Sequence, residues 1–195
     1  MPKRTIPLVV LLAALAAAAF ASTVTRLSFR QLSQMAHRVA VGKIEKLTSY
    51  QDPSSGRIYS DVQISETRAL GEGLPRPALT FRMAGGTVGD LRQWIAGFPA
   101  LQAGDRVVLF LGPDTTTPLG PTIGLWQGVF FVDAEAASGR ETVLDHRRLP
   151  VAEIRGDELV AGEAGAARAS RLGLDVFLER VRALRAPAGE APARR

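Results

Sequence analysis

The sequence predicts a mainly β fold, a small β-barrel with a short helix in front and an amphipathic helix behind. Three observations predict it. Between Val39 and Val132 the chain offers about five or six short apolar or alternating runs, separated by turns rich in Gly and Pro. No helical segment lies between the first strands, which argues against a layered parallel α/β fold. Helical spacing of apolar residues occurs only towards the two ends.

Each element has its own grounds. Ser28 stands three residues before Gln31, the capping-box pattern, and Phe29, Leu32, Met35 and Ala36 follow at helical spacing. A helix is therefore expected from about Phe29 to His37. Val39 to Leu47 changes to strand character, with Gly42 interrupting the alternation where a bulge or bend is expected. Asp52-Pro53-Ser54-Ser55-Gly56 is a turn cluster, and Ile58 to Leu70 alternates, with Ile58, Ser60, Val62 and Ile64 on one face. The two runs read as a hairpin. Gly71 to Pro77 breaks the chain, and Leu79 to Met83 is a third strand.

Ala84 to Gly104 reads as a long irregular loop rich in glycine. Loops of that length in compact domains are usually functional or flexible. Arg106 to Leu111 is the strongest apolar run after the leader and is expected to be the most buried strand. Asp114 to Pro121 is a loop, and Ile123 to Val132 supplies one strand or two divided at Gly128. Ala134 to Gly139 is a turn, Thr142 to Leu144 a short edge strand, and Leu159 to Ala169 a loop. Leu174, Phe177, Leu178, Val181 and Leu184 form the single stripe of an amphipathic helix. Ala186 to Arg195, rich in Pro, Ala and Arg, is expected to be disordered.

The N-terminus carries an address. Lys3 and Arg4 precede an apolar run from Ile6, which closes on Ala19-Phe20-Ala21, the three parts of a cleaved secretory signal. The run is shorter than the roughly 20 residues of a spanning helix. The expected organisation is a signal peptide over 1–21, a β-barrel domain over 22–150, an extension with the amphipathic helix over 151–185, and a tail over 186–195. The mature chain would start at Ser22 and be periplasmic or secreted, with no stable membrane insertion. The composition points to a bacterium with a GC-rich genome. There is no cysteine, which excludes a disulfide scaffold, a Cys nucleophile and a Cys-ligated zinc site. The net charge of +5 is mild, and the Arg residues are scattered instead of forming a basic stripe with aromatics, so no nucleic-acid partner is expected.

Ala36-His37-Arg38-Val39-Ala40-Val41-Gly42-Lys43-Ile44, Gly56-Arg57-Ile58-Tyr59-Ser60-Asp61-Val62 and Ala103-Gly104-Asp105-Arg106-Val107-Val108-Leu109-Phe110-Leu111 together resemble a family of exported bacterial proteins of unknown function. Gly124-Leu125-Trp126-Gln127-Gly128-Val129-Phe130 is similar to that family's final strand region. The order of elements is also similar, less strongly, to the OB-fold of netrin-like modules and tissue inhibitors of metalloproteinases. This second similarity implies an OB-like barrel; the chain has none of those inhibitors' cysteines.

Signals for catalysis are weak. His37 and His146 are the two histidines and lie far apart in sequence, without the close spacing of a zinc site. Asp145-His146 and Ser138 suggest a triad, but no Ser lies in G-x-S-x-G. Carboxylate pairs drawn from Asp61, Glu66, Glu153, Asp157 and Glu158 are ordinary surface acids unless they face one cleft. Gly85-Gly86-Thr87-Val88-Gly89 lacks the G-K-[ST] ending of a phosphate loop. No cofactor is expected. Trp94, Ile95 and Phe98 lie in irregular chain, where aromatics serve either as binding anchors or as a plug for one end of the barrel. The expected function is that of an exported, non-enzymatic binding domain acting through Ala84–Gly104. Its partner would be an exported protein such as a protease, or an envelope polymer. The alternatives are an envelope hydrolase using carboxylates and a structural envelope protein.

Overall fold

A computed structural model describes residues 24–71, 75–114, 117, 119–135, 138–163, 165 and 170–186. The expected signal peptide and the expected disordered tail from residue 187 lie outside the described residues. Helix α1 (Phe29–Met35) opens the chain as its capping box predicts. The Ser28 side chain accepts from the Gln31 backbone N–H, and the Gln31 side chain accepts from the Ser28 N–H at 2.9 Å. The helix ends at Met35, two residues before the expected His37.

The strands are β1 (Arg38–Gln51), β2 (Ile58–Gly71), β3 (Leu79–Ala84), β4 (Gly86–Val88), β5 (Leu91–Gln93), β6 (Arg106–Leu111), β7 (Val129–Ala134), β8 (Glu141–Leu144), β9 (Val151–Arg155) and β10 (Glu158–Ala161). A 3-10 helix (Leu125–Gly128) precedes β7, and helix α2 (Leu174–Arg185) closes the fold. The fold is mainly β, with one helix before the strands and one after them among the described residues. Six strands form one antiparallel sheet in the order β3-β2-β1-β6-β7-β8, while β4–β5 and β9–β10 are separate two-stranded hairpins.

Gly42 bends the long β1–β2 hairpin. Val41 pairs with Arg68 but Gly42 pairs with Glu66, so Thr67 is the extra residue of a bulge. A Cβ at Gly42 would lie 2.2 Å from the Ser65 carbonyl oxygen, and only glycine lets the strands approach there. A second shift, between Ile44 and Lys46, continues the bend.

The sheet is open, which corrects the expected closed barrel: β3 and β8 are its edges and share no ladder. Chain segments cover both edges instead. After β6 the chain turns back, with Gly112 N–H donating to Pro121 O at 2.8 Å and Ile123 N–H to Phe110 O at 2.9 Å. This places Gly120 against the backbone of Arg82 and Met83 on β3. At the other edge, Val143 N–H donates to Leu172 O at 3.0 Å. Covered edges cannot template pairing with another chain.

Alternation divides the core between the two faces. Val39, Val41, Val108, Phe110, Phe130 and Val143 face α1, α2 and β9. There Phe177 of α2 packs against Phe29 and Phe130, with ring centroids 5.1 Å away in each case. The segment after residue 150 thus belongs to the same core, through Val151 and the buried stripe of α2. On the concave face lie Ala40, Ile44, Val62, Ile64, Phe81, Leu109 and Phe131. Strand β6 is buried on both faces, and Leu109 is fully buried, as its apolar run predicts. The bend also buries an ion pair. Arg38 Nε donates to Glu66 Oε1 at 2.7 Å, its guanidinium also bonds Oε2, and the side chains are 6% and 0% exposed. No helix among the described residues is long and apolar enough to cross a membrane.

Candidate functional site

The segment between β3 and β6 is not the irregular loop its glycines suggest. It folds into the β4–β5 hairpin, turned at Gly89-Asp90, followed by a strap that closes the concave face. Side chains of the long hairpin hold it down. The Ser60 hydroxyl donates to Gly85 O at 2.7 Å and lies 2.8 Å from the Ser49 hydroxyl. Gln93 Oε1 accepts from Ile58 N–H at 2.9 Å. The far end is tied to the bend of β1, where Gly104 N–H donates to Ile44 O at 2.7 Å and Ile44 N–H donates to Asp105 O at 2.8 Å. Arg148 clamps the same place, donating to the two Asp105 carboxylate oxygens at 3.0 and 2.9 Å while its guanidinium lies 3.8 Å from the Phe131 ring centre. A segment fixed at both ends presents its side chains from a defined backbone.

The structure places the three candidate residues differently. Phe98 is 8% exposed and packs in the concave core. Ile95 is partly buried against that core. Trp94 is 67% exposed. One segment therefore holds both a buried aromatic, Phe98, and an exposed one, Trp94. Gly97 explains how the chain manages both. Its φ is +85°, and a Cβ there would lie 2.5 Å from two ring carbons of Trp126. The Trp126 indole lies on the bare backbone, which lets the strap turn inward at Phe98. Beneath Trp94 lies a cleft of about 190 Å³, lined by Met83, Gly85, Trp94 and Phe98 among others.

Leu91, on the same hairpin, is 57% exposed and was not a candidate from the sequence. Its signal was the short Leu91-Arg92-Gln93 strand, which the surrounding glycines obscured. Trp94 and Leu91 are two of five large apolar side chains standing in solvent among the described residues. Asp90 and Arg92, also exposed, add one charge of each sign to the hairpin. No protein-family model matches the chain, and no curated protein or solved structure matches it with significance.

The carboxylates weighed for catalysis each face an arginine. Asp61 lies 3.7 Å from Arg82, Asp157 accepts from Arg30 at 2.7 Å, Glu158 lies 3.2 Å from Arg26, Glu153 bonds Arg155, and Glu66 is buried on Arg38. The hydrogen bond from Arg30 holds the Asp157 carboxyl below its ordinary range. The Ser138 hydroxyl donates to Glu135. His37 and His146 line different cavities. No group of three metal-ligating side chains occurs among the described residues.

Proposed function

We propose that this chain is an exported, non-enzymatic binding domain whose partner docks on the β4–β5 hairpin. One observation carries the reading. A tryptophan that is 67% exposed stands on a hairpin anchored at both ends, above a cleft whose floor is sealed by Phe98. Tryptophan is among the strongest contact residues at interfaces, and a fixed backbone lowers the entropy cost of docking. The partner is another exported protein, such as a secreted protease. Leu91, also exposed on the hairpin, suits an apolar protein surface better than a polymer covered in hydroxyls. Export rests on the charged, apolar and Ala19-Phe20-Ala21 parts of the leader.

The test compares Trp94→Ala and Leu91→Ser with Arg155→Ala, a change on β9 where the side chain is 76% exposed. Proteins that co-purify with the wild-type chain from the cell envelope should be lost with the first two and kept with the third. Retention with all three variants would contradict the proposal.

A further inference from the structure

A second and larger cavity, of about 490 Å³, opens where α1, β7 and the β9–β10 hairpin meet. Its size falls in the roughly 300–1,000 Å³ range of small-molecule sites. Its apolar base is nearly buried, with Phe29 and Leu32 of α1, Phe130 of β7 and Val151 of β9 at most 3% exposed, and the partly exposed Leu27, with Leu159 of β10, stands over it. The side wall is built by Gln127. Its Oε1 accepts from Leu27 N–H at 2.7 Å and its Nε2 donates to Thr25 O at 3.0 Å, which fixes residues 25–27 beside the opening.

Trp126 and His146 stand at the lip, with ring centroids 6.3 Å apart. The backbone nearby is unusual, immediately before Trp126 and two residues after His146. Leu125 has φ +60° and Arg148 has φ +63°, and these are the two non-glycine residues with positive φ among those described. Such conformations persist only where the surroundings impose them, and they gather at binding and catalytic sites. The charges around the lip are already paired. Asp145 accepts from the backbone N–H of Arg147 and Leu149 at 2.8 and 2.9 Å, and from the Arg147 side chain at 3.0 and 2.9 Å. Arg26 pairs with Glu158 at 3.2 Å. Two cations and two anions give the lip no net charge to favour a charged ligand. His146 makes no hydrogen bond among the described residues, and a neutral imidazole offers one donor and one acceptor.

We propose that this cavity binds an uncharged amphiphile. Its aliphatic or aromatic body lies on the partly exposed Leu27, Trp126 and Leu159, over the buried Phe29, Leu32, Phe130 and Val151, and its single hydroxyl, ester or amide head is hydrogen-bonded to His146. The proposal does not rest on a protein docking at the β4–β5 hairpin, although Trp126 also packs on Gly97 of the strap.

The chain has two tryptophans, so in full-length Trp94→Phe protein Trp126 is the only indole and reports from the lip. Dodecanol and dodecanoate are titrated, each below the concentration at which it aggregates. The expected result is a saturable change in Trp126 emission at one molecule per chain, with dodecanol bound more tightly than dodecanoate. Adding His146→Ala should weaken dodecanol binding about tenfold, the loss of one hydrogen bond. Ala161→Phe, which adds bulk at the cavity lining, should abolish binding while the far-UV thermal melt stays unchanged. If Ala161→Phe does not fold, Leu159→Phe serves in its place. Four results would each overturn the proposal: no saturable change, a preference for dodecanoate, affinity unaltered by His146→Ala, or affinity unaltered by the blocking substitution. The last is also what binding to the apolar N-terminal run would give.

Discussion

Truncating Phe98 and truncating Trp94 should have opposite consequences, although the residues lie four positions apart. Phe98 is 8% exposed and packs against the concave core, with Ile95, Leu101 and Leu125 partly buried beside the same core. Replacing a buried phenylalanine by alanine costs about 3–5 kcal/mol. The void left here adjoins the cleft of about 190 Å³ under Trp94, so water can enter it and the cost should fall near about 3 kcal/mol. For a chain of this length that lowers Tm by about 6–12 °C. Trp94 is 67% exposed, and its removal should stay within about 0.5 kcal/mol, the range of surface substitutions. Paired urea melts with calorimetry measure both. A loss below about 1 kcal/mol for Phe98→Ala, with a larger loss for Trp94→Ala, would refute the placement of the strap.

Four further outcomes follow from named contacts. Leu109→Ala, at a fully buried position of β6, should cost about 2–5 kcal/mol in a denaturant melt. Glu66→Ala removes the carboxylate from the buried Arg38 guanidinium and from Arg76 N–H and should cost about 3–5 kcal/mol, while Arg38→Met with Glu66→Leu should recover part of it; failure of the pair to recover any would show another cause. Burial holds the His146 imidazole below its ordinary value, with Asp145 pulling it up and Arg147 pushing it down. The unfolded chain therefore takes the proton first. The stability from this group is full above about pH 6.5 and declines as pH falls through that value towards the lower folded one. His146→Gln should flatten the wild-type melts over that window, and parallel pH profiles would contradict this. N-terminal sequencing of exported protein should begin at Ser22, and an intact Met1 on membrane-bound material would contradict the cleaved signal.

Much of the fold is legible in the sequence because periodicity reports burial directly. The alternation of Ile58, Ser60, Val62 and Ile64, the continuous run of β6 and the stripe of α2 each correspond to an observed buried face. Gly42 is legible as a bend because a strand glycine there answers a local steric need. Most of the shortest elements are not legible, although β8 is, from the Thr142-Val143-Leu144 run. β4, β5 and β10 depend on tertiary hydrogen bonds, such as that from Ile58 N–H to Gln93, and carry no period long enough to detect. Gly128 does divide its region, but Leu125-Trp126-Gln127-Gly128 is a 3-10 turn set by left-handed backbone at Gly124 and Leu125. Closure of the sheet was out of reach for the same reason. Strand count suits a barrel equally well, and the covered edges come from loops that show no strand pattern.

At the candidate site, the sequence marks the right segment but cannot divide its residues. Trp94 and Phe98 have the same chemistry, and only the turn at Gly97, opened for the Trp126 ring, sends one outward and the other inward. The cavity beside His146 was hidden because its walls come from residues as distant in sequence as Leu27, Trp126 and Leu159.

The central claim is that Trp94 touches a partner. Its most direct test places a photo-crosslinking benzoylphenylalanine at position 94 in growing cells, with the same group at position 155 as the exposed control. The account predicts one discrete adduct with another exported protein at position 94 and none at position 155. No adduct at position 94, or the same adducts at both positions, would contradict it.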